Sequence, residues 1–489
     1  MAAKSEYKLL QNGIVLIHDS SDHVKAQYDT DILIKDDIIE DVGGRLPLTT
    51  AHDVQIIDCT GKIISPGFID THHHLWQTQL KGRHADEALL DYFPSGNLQS
   101  YNYQPDDIFW GQLSGSLEAI DAGTTFVLDH MHGAYTRDAA DAGLKAGVAS
   151  GLRMVYALGQ PLWIETWDKE KCVPDLSRPP VQEWNYEFVE EKCKQHPIEG
   201  RVFIGFGFDG WYMPKEYVQA VFERTRKAGI KVMTNHIGHN KVYYFDPIHA
   251  MKEYGLLDQD IVASHCTGLD KEKQKILYDA GVYSSSTPET ECQMGMGWPV
   301  ALDEYVHGCL GTDCHTNNSS SILVQARMLL QQIRQRETQA AMAKGTLPKV
   351  PVSTSEQAFN LATIAGARAV GLENEIGSIE KGKKADLVIF DPTTSPSMLC
   401  SVEYDPLIAV LRHSDLRDID TVIIGGIMRK QGGKLLPVSI DGKSTPYTEI
   451  VNNTLQSRKA VQQRMDGSSW EKAREMVVGM FHVDESKII

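Results

Sequence analysis

The stretch PGFIDTHHHLWQTQLKG, residues 66–82, sets three histidines in a row behind a short apolar run that ends in an aspartate. Side chains alternate faces along a strand, so His72 and His74 point one way and His73 points the other. Two imidazoles from one strand end can share a cation, whereas His73 should face the surrounding helices or loops. Neighbouring strand histidines are also often engaged only in hydrogen bonds. The weight therefore falls on what recurs farther along the chain.

From Ser65 onward, apolar runs of four to eight residues alternate with helix-period stretches. GTTFVLDHMH precedes DAADAGLKAGVASG, RVFIGFGFDG precedes EYVQAVFERTRKAG, DIVASHCTGL precedes KEKQKILYDAG, and GCLGTDCHTN precedes SSSILVQARMLLQQIRQR. Strand then helix, repeated about eight times over ~300 residues, predicts an α/β chain whose parallel βα units close into a (β/α)8 TIM barrel. Both ends are strand-rich, with YKLLQNG, GIVLIHD and TDILIKDDIIEDVG early and GSIEKGKKADLVIFD and DTVIIGGIMRK late. These ends are expected to form a small β-sandwich domain flanking the barrel. The expected partition is 1–64 and 379–440 for the sandwich, 65–378 for the metal-dependent barrel, and 441–489 for a C-terminal helical extension.

Bulk properties exclude several classes. With 48 Lys+Arg against 65 Asp+Glu, the net charge of -17 disfavours nucleic acid and anionic membrane as partners. No segment reaches the ~18 apolar residues of a membrane span, and the N-terminus lacks a leader pattern, so a soluble, cytoplasmic protein is expected. The eight cysteines form no CxxC pair and read as free thiols. GFGFDG lacks the GxGxxG spacing of a phosphate loop.

Histidines recur where barrel strands should end. His236 closes IKVMTNH, His265 closes DIVASH, and Asp313 follows GCLGT. A (β/α)8 barrel builds its site at the C-terminal ends of its strands. Three neutral imidazoles and one carboxylate suit Zn²⁺, and tolerate Fe²⁺ or Mn²⁺. The alternative, unrelated buried polar residues, requires each to find its own partner in an apolar barrel.

These residues also carry a resemblance. PGFIDTHHH, GTTFVLDH, ASHCTGL, LGTDCHTNN, LATIAGARAVGL and GSIEKGKKADLVIFD, in this order and spacing, resemble the amidohydrolase superfamily, in the branch of cytosine and guanine deaminases and triazine chlorohydrolases. The resemblance implies His72, His74, His236 and Asp313 as ligands of one divalent metal ion, zinc first and iron or manganese as alternatives. It implies that Asp313 takes a proton from the attacking water and that His265 lies beside that water and the substrate. RVFIGFGFDG contains no lysine, so the bridged two-metal centre of other branches is not expected. It also implies a homo-oligomer, a dimer or larger, acting on a small molecule.

The chain departs from that pattern once. Deaminases of the branch carry a glutamate three residues after the third metal histidine, and here that position is His239. An imidazole near pKa ~6.5 can also donate a proton, but does so carrying positive charge beside a cation. Glu289 and Glu291 in SSSTPETECQMGMGWP are candidates for a substitute carboxylate, with Glu291 the nearer to the Gly- and Met-rich turn, and equally for ordinary loop ion pairs. Candidate substrate contacts are Trp76, Gln77 and Gln79 after the first barrel strand, His130 after the second, Trp211 beside Asp209 and Tyr212 after the fourth, and Met294, Trp298 and His315 around the Asp313 strand.

The expected activity is metal-dependent hydrolysis of a C–N bond other than a peptide bond, in an amide, cyclic amidine or amino-heterocycle, by metal-generated hydroxide. A non-hydrolytic lyase step, decarboxylation or dehydration of an aromatic or heterocyclic metabolite, is the alternative. A non-catalytic family member is a third reading, which the retained ligand positions oppose.

Overall fold

A computed structural model of the chain describes residues 6–47, 54–239 and 244–488, apart from the side chains of residues 239, 244 and 245. Strands β1 (Tyr7–His18), β2 (Val24–Lys35) and β3 (Ile38–Gly43) form an antiparallel meander, and β4 (Val54–Asp58) and β5 (Ile63–Pro66) run parallel to β1. Their alternation buries Leu10, Val15, Ile32, Ile34, Ile39 and Ile64 on one face.

The next eight strands are the barrel. They are β6 (Phe68–His73), β7 (Thr124–Met131), β8 (Arg153–Leu158), β9 (Val202–Gly207), β10 (Met233–His239), β11 (Ile261–Thr267), β12 (Tyr283–Ser286) and β13 (His307–Leu310). Each pairs in parallel with the next. Helices between them obey ordinary capping: Thr136 and Asp270 accept backbone N–H groups at two starts, and Gly151 and Gly229 end two helices in the left-handed region.

Closure of the ring falls to the residues after β13. The amides of Thr312 and Asp313 donate to the His72 carbonyl at 3.0 and 2.8 Å, and the His74 amide donates to the Asp313 carbonyl at 3.2 Å. The chains approach so closely that a Cβ on Gly311 would lie 2.7 Å from the His72 carbonyl oxygen. Glycine there lets the last strand meet the first.

β14 (Leu387–Phe390), β15 (Ile419–Ile424), β16 (Ile427–Gln431) and β17 (Lys434–Leu435) return to the first sheet, where β14 pairs antiparallel with β5. Both chain ends thus share one sheet, as the strand-rich ends predict. A buried ion pair, Arg153 Nε to Asp386 Oδ2 at 2.7 Å, joins that sheet to the barrel.

Two C-terminal helices, Tyr447–Met465 and Trp470–Met480, complete the chain. Arg458 on the first donates to the carbonyls of Gln79 and Lys81 at 2.9 and 3.0 Å. Ala473 and Val477 on the second pack with Leu90, Leu98, Ile164 and Trp167. Among the described residues no helix is long and apolar enough to cross a membrane.

Candidate metal centre

β6 and the residue that follows it deliver His72 and His74 to the barrel mouth, β10 delivers His236, and the closing segment delivers Asp313. Asp313 Oδ1 lies 3.3 Å from His72 Nε2 and 3.2 Å from His74 Nε2, while His236 Nε2 lies 3.4 Å from His74 Nε2. Ligands about 2.1 Å from one tetrahedral centre stand roughly 3.4 Å apart, so these spacings match a zinc-type site.

Proton positions strengthen the fit. His74 Nδ1 faces the His130 carbonyl at 2.8 Å, and a carbonyl only accepts, so the proton sits on Nδ1 and leaves Nε2 bare. His236 Nδ1 faces Asp209 Oδ2 at 2.8 Å with the same consequence. His72 Nδ1 is engaged by Ser264 Oγ at 2.7 Å, and its buried Nε2 has no hydrogen-bond partner among the described residues. In the neutral rings, bare lone pairs on His74 and His236 Nε2 therefore converge with the Asp313 carboxylate oxygen, with no proton on either nitrogen to relieve the repulsion. A divalent cation removes that repulsion, and the partners on Nδ1 are those a metal-bound histidine uses to hold its ring.

Burial sets the ionisation. It pulls the His72 and His74 imidazoles below their ordinary value, His72 far below, against the opposing effect of Asp313. Burial pushes Asp313 up, but the adjacent imidazoles outweigh it and hold the carboxyl well below its usual range. Burial also pulls His236 down, and the Asp209 carboxylate reverses this and leaves it raised. Neutral imidazoles at His72 and His74 with a carboxylate at Asp313 are the forms that bind metal.

His265 stands next to this set. One of its ring nitrogens lies within 4.8 Å of donor atoms of His72 and Asp313, while its Nδ1 faces Thr287 Oγ1 at 3.0 Å. His265, Cys266 and Asp313 have φ of 70°, 58° and 64°, a region that costs non-glycine residues about 1–3 kcal/mol each. The barrel rim holds these side chains at that cost.

The other candidates divide. Glu291 is fully buried near His265, with Oε1 3.6 Å from its Nδ1, and burial pushes its carboxyl up against the opposing effect of His265. Glu289 instead accepts from Gln325 Nε2 at 2.8 Å. His130 is buried with its ring centroid 4.5 Å from that of His236. Trp298 is 44% exposed, whereas Met294 is buried beside Leu89, Tyr92 and Cys314. Trp211 packs on Phe208 and Phe222, and Trp76 is buried edge-on to Tyr103 and His132. Gln77 donates to Tyr92 Oη at 2.8 Å, and Gln79 Nε2 donates to the Asp107 carbonyl and Ser457 Oγ at 2.7 and 2.9 Å. His315 Nδ1 meets His73 Nε2 at 3.0 Å and its Nε2 meets Thr78 Oγ1 at 3.0 Å. The donors of Gln77 and Gln79 and both ring nitrogens of His315 are thus taken by the protein itself. The His239 side chain lies outside the described residues.

Two features escaped the sequence reading. Asp209 was placed on a substrate loop, although a carboxylate at the end of β9 is signalled by the same strand-end rule that selects Asp313. The buried chain Asp70–His73–His315–Thr78, with Asp70 Oδ2 2.8 Å from His73 Nδ1, has no local signal, because its members meet only in the closed barrel.

Comparison with known proteins agrees with this geometry. A 5-methylthioadenosine/S-adenosylhomocysteine deaminase of Acetivibrio thermocellus is 28% identical over 417 residues, covering 82% of this chain and 89% of the relative. A 5'-deoxyadenosine deaminase of Methanobrevibacter smithii is 28% identical over 420 residues, covering 83% and 89%. An adenosine deaminase of Xanthomonas campestris solved with bound zinc superposes with a TM-score of 0.72 at 19% identity, covering 93% of this chain and 98% of that one. Atrazine chlorohydrolase of Arthrobacter aurescens, complexed with zinc, gives 0.73 at 19% identity, covering 92% and 100%. Residues 63–429, the barrel with the strands that bracket it, match the family described as "Amidohydrolase family", and the chain therefore belongs to that family and is a metal-dependent hydrolase of C–N bonds other than peptide bonds.

Proposed function

We propose that this protein is a mononuclear aminohydrolase that releases ammonia from an amino-heterocycle, with 5'-modified adenine nucleosides the first substrates to test. The observation that carries the reading is the convergence of His72 and His74 Nε2 on Asp313 Oδ1 at 3.3 and 3.2 Å, with His236 Nε2 3.4 Å from His74 Nε2. The relatives' deaminase names support the substrate class.

His72, His74, His236 and Asp313 would hold one divalent ion, zinc before iron or manganese. When bound, such an ion supplies Lewis acidity that lowers the pKa of a coordinated water from 15.7 to roughly 7. Asp313, kept ionised, accepts a proton from the attacking water and returns it to the departing amine. Water adds at the amino-bearing carbon, the C–N bond breaks, and ammonia leaves. His265 sits where it can hydrogen-bond the attacking or the attacked group. Trp298 and Tyr212, both exposed, offer flat apolar surface for a ring.

Elemental analysis of wild type and His236→Ala, with ammonia release measured on the same samples, tests this. The panel is methylthioadenosine, 5'-deoxyadenosine, adenosine and aminotriazines. One zinc per wild-type chain, lost in the variant together with ammonia release, is the expected result. Stoichiometric metal without ammonia from any of them would overturn the deaminase reading, and absence of metal would overturn the centre.

A further inference from the structure

Glu291 is a carboxylate that the ligand set does not use. It lies at 0% exposure on the short helix Pro288–Gln293, behind His265. Oε1 accepts from the Thr287 amide at 2.8 Å and stands 3.6 Å from His265 Nδ1, and Oε2 has no hydrogen-bond partner among the described residues. A buried carboxylate is costly without a donor or cation, and His265 is the ring within reach. Thr287 Oγ1 faces the same nitrogen at 3.0 Å. A bare Nδ1 lone pair would be repelled by the carboxylate, so the proton belongs on Nδ1, where the threonine hydroxyl accepts it at 3.0 Å and the carboxylate, at 3.6 Å, favours it electrostatically. Nε2 is then bare, on a ring with one nitrogen within 4.8 Å of donor atoms of His72 and Asp313.

We propose that Glu291 is the positioning residue of this centre: with Thr287 it holds His265 in a single tautomer and orientation, presenting Nε2 as a hydrogen-bond acceptor to the reaction chamber. This deepens the aminohydrolase reading and rests on it for its catalytic consequence. It also gives the chain an oriented acid–base group on the β11 side, although the residue at the position of the branch's usual glutamate is His239. Glu291 acts through His265 and needs no contact with substrate.

The test uses full-length zinc-loaded protein labelled with ¹⁵N-histidine, with the His265 signals assigned by their loss in His265→Asn. A slowly exchanging Nδ1–H signal is expected in wild type and in Glu291→Gln, whose amide oxygen can still accept, and is expected to be lost or to move in Glu291→Ala. In turnover, Glu291→Ala is expected to lower kcat by about 10–100-fold with KM little changed and zinc content intact, while Glu291→Gln recovers most of the loss. A proton on Nε2 instead, an unchanged kcat in Glu291→Ala, or a Gln variant as impaired as the Ala variant would each overturn the proposal. If wild type released ammonia from no amino-heterocycle, the functional reading would fall, and the position of the histidine proton would still decide the role of Glu291.

Discussion

His72, His74 and Asp313 sit in backbone that is hydrogen-bonded from several sides, whereas His236 is steered by one carboxylate, Asp209, whose side chain is 45% exposed. On the first bank, Asp70 is fully buried and accepts from the His72 amide at 3.2 Å, the Thr312 amide at 3.1 Å and the His73 ring at 2.8 Å. Asp129 adds a bond from the Leu75 amide at 3.2 Å, and burial raises its carboxyl to about 6 against the effect of the Gln112 hydrogen bond. The barrel seam and three of the four candidate ligands are therefore one structure. The fourth, His236, reaches the centre through a contact that solvent can enter.

That contrast separates stability from metal binding. Asp70→Ala should have the largest effect, because it strands the His72 amide and the His73 ring N–H at about 1–3 kcal/mol each and leaves the Thr312 amide with the His72 carbonyl alone; a loss of at least ~2 kcal/mol in chemical denaturation is expected. A loss below about 1 kcal/mol would break the idea that the seam depends on this carboxylate. Asp209→Asn should leave unfolding nearly unchanged and weaken zinc affinity by about 10–100-fold in competition with a chelator, since its amide oxygen can replace only one of the two acceptors that Asp209 offers to the His236 amide and ring. Equal damage to folding and metal binding would show that the two banks are not distinct. The smallest effect is expected farther out, where Ser457→Ala removes the Gln79 contact to the C-terminal helix and should cost about 1 kcal/mol in thermal or chemical unfolding.

Much of the centre was legible because the rules involved are local. Strand alternation separates His73 from His72 and His74, and the strand-end position singles out His236, His265 and Asp313 without knowledge of any distant residue. Gln79 shows where such reading stops. Its place after the first barrel strand suggests a substrate contact, but the helix Tyr447–Met465, more than 360 residues later, supplies Ser457 as its partner at 2.9 Å. His315 likewise follows Asp313 on a mouth loop, yet its ring closes a chain to His73 and Thr78. Glu291 was visible as a carboxylate near the site. Its complete burial and its nearness to His265 were not, because both depend on how the short helix after β12 packs against the end of β11.

By itself the sequence determined the repeating strand–helix order, the pairing of both strand-rich ends, and the strand-end residues able to bind a metal, because periodicity and alternation are properties of neighbouring residues. Only the tertiary structure decided that residues 311–313 close the ring onto β6, that Asp209 orients His236, and that Glu291 backs His265. Those contacts join residues from 26 to 242 positions apart, and their geometry over such separations follows from the closed barrel alone.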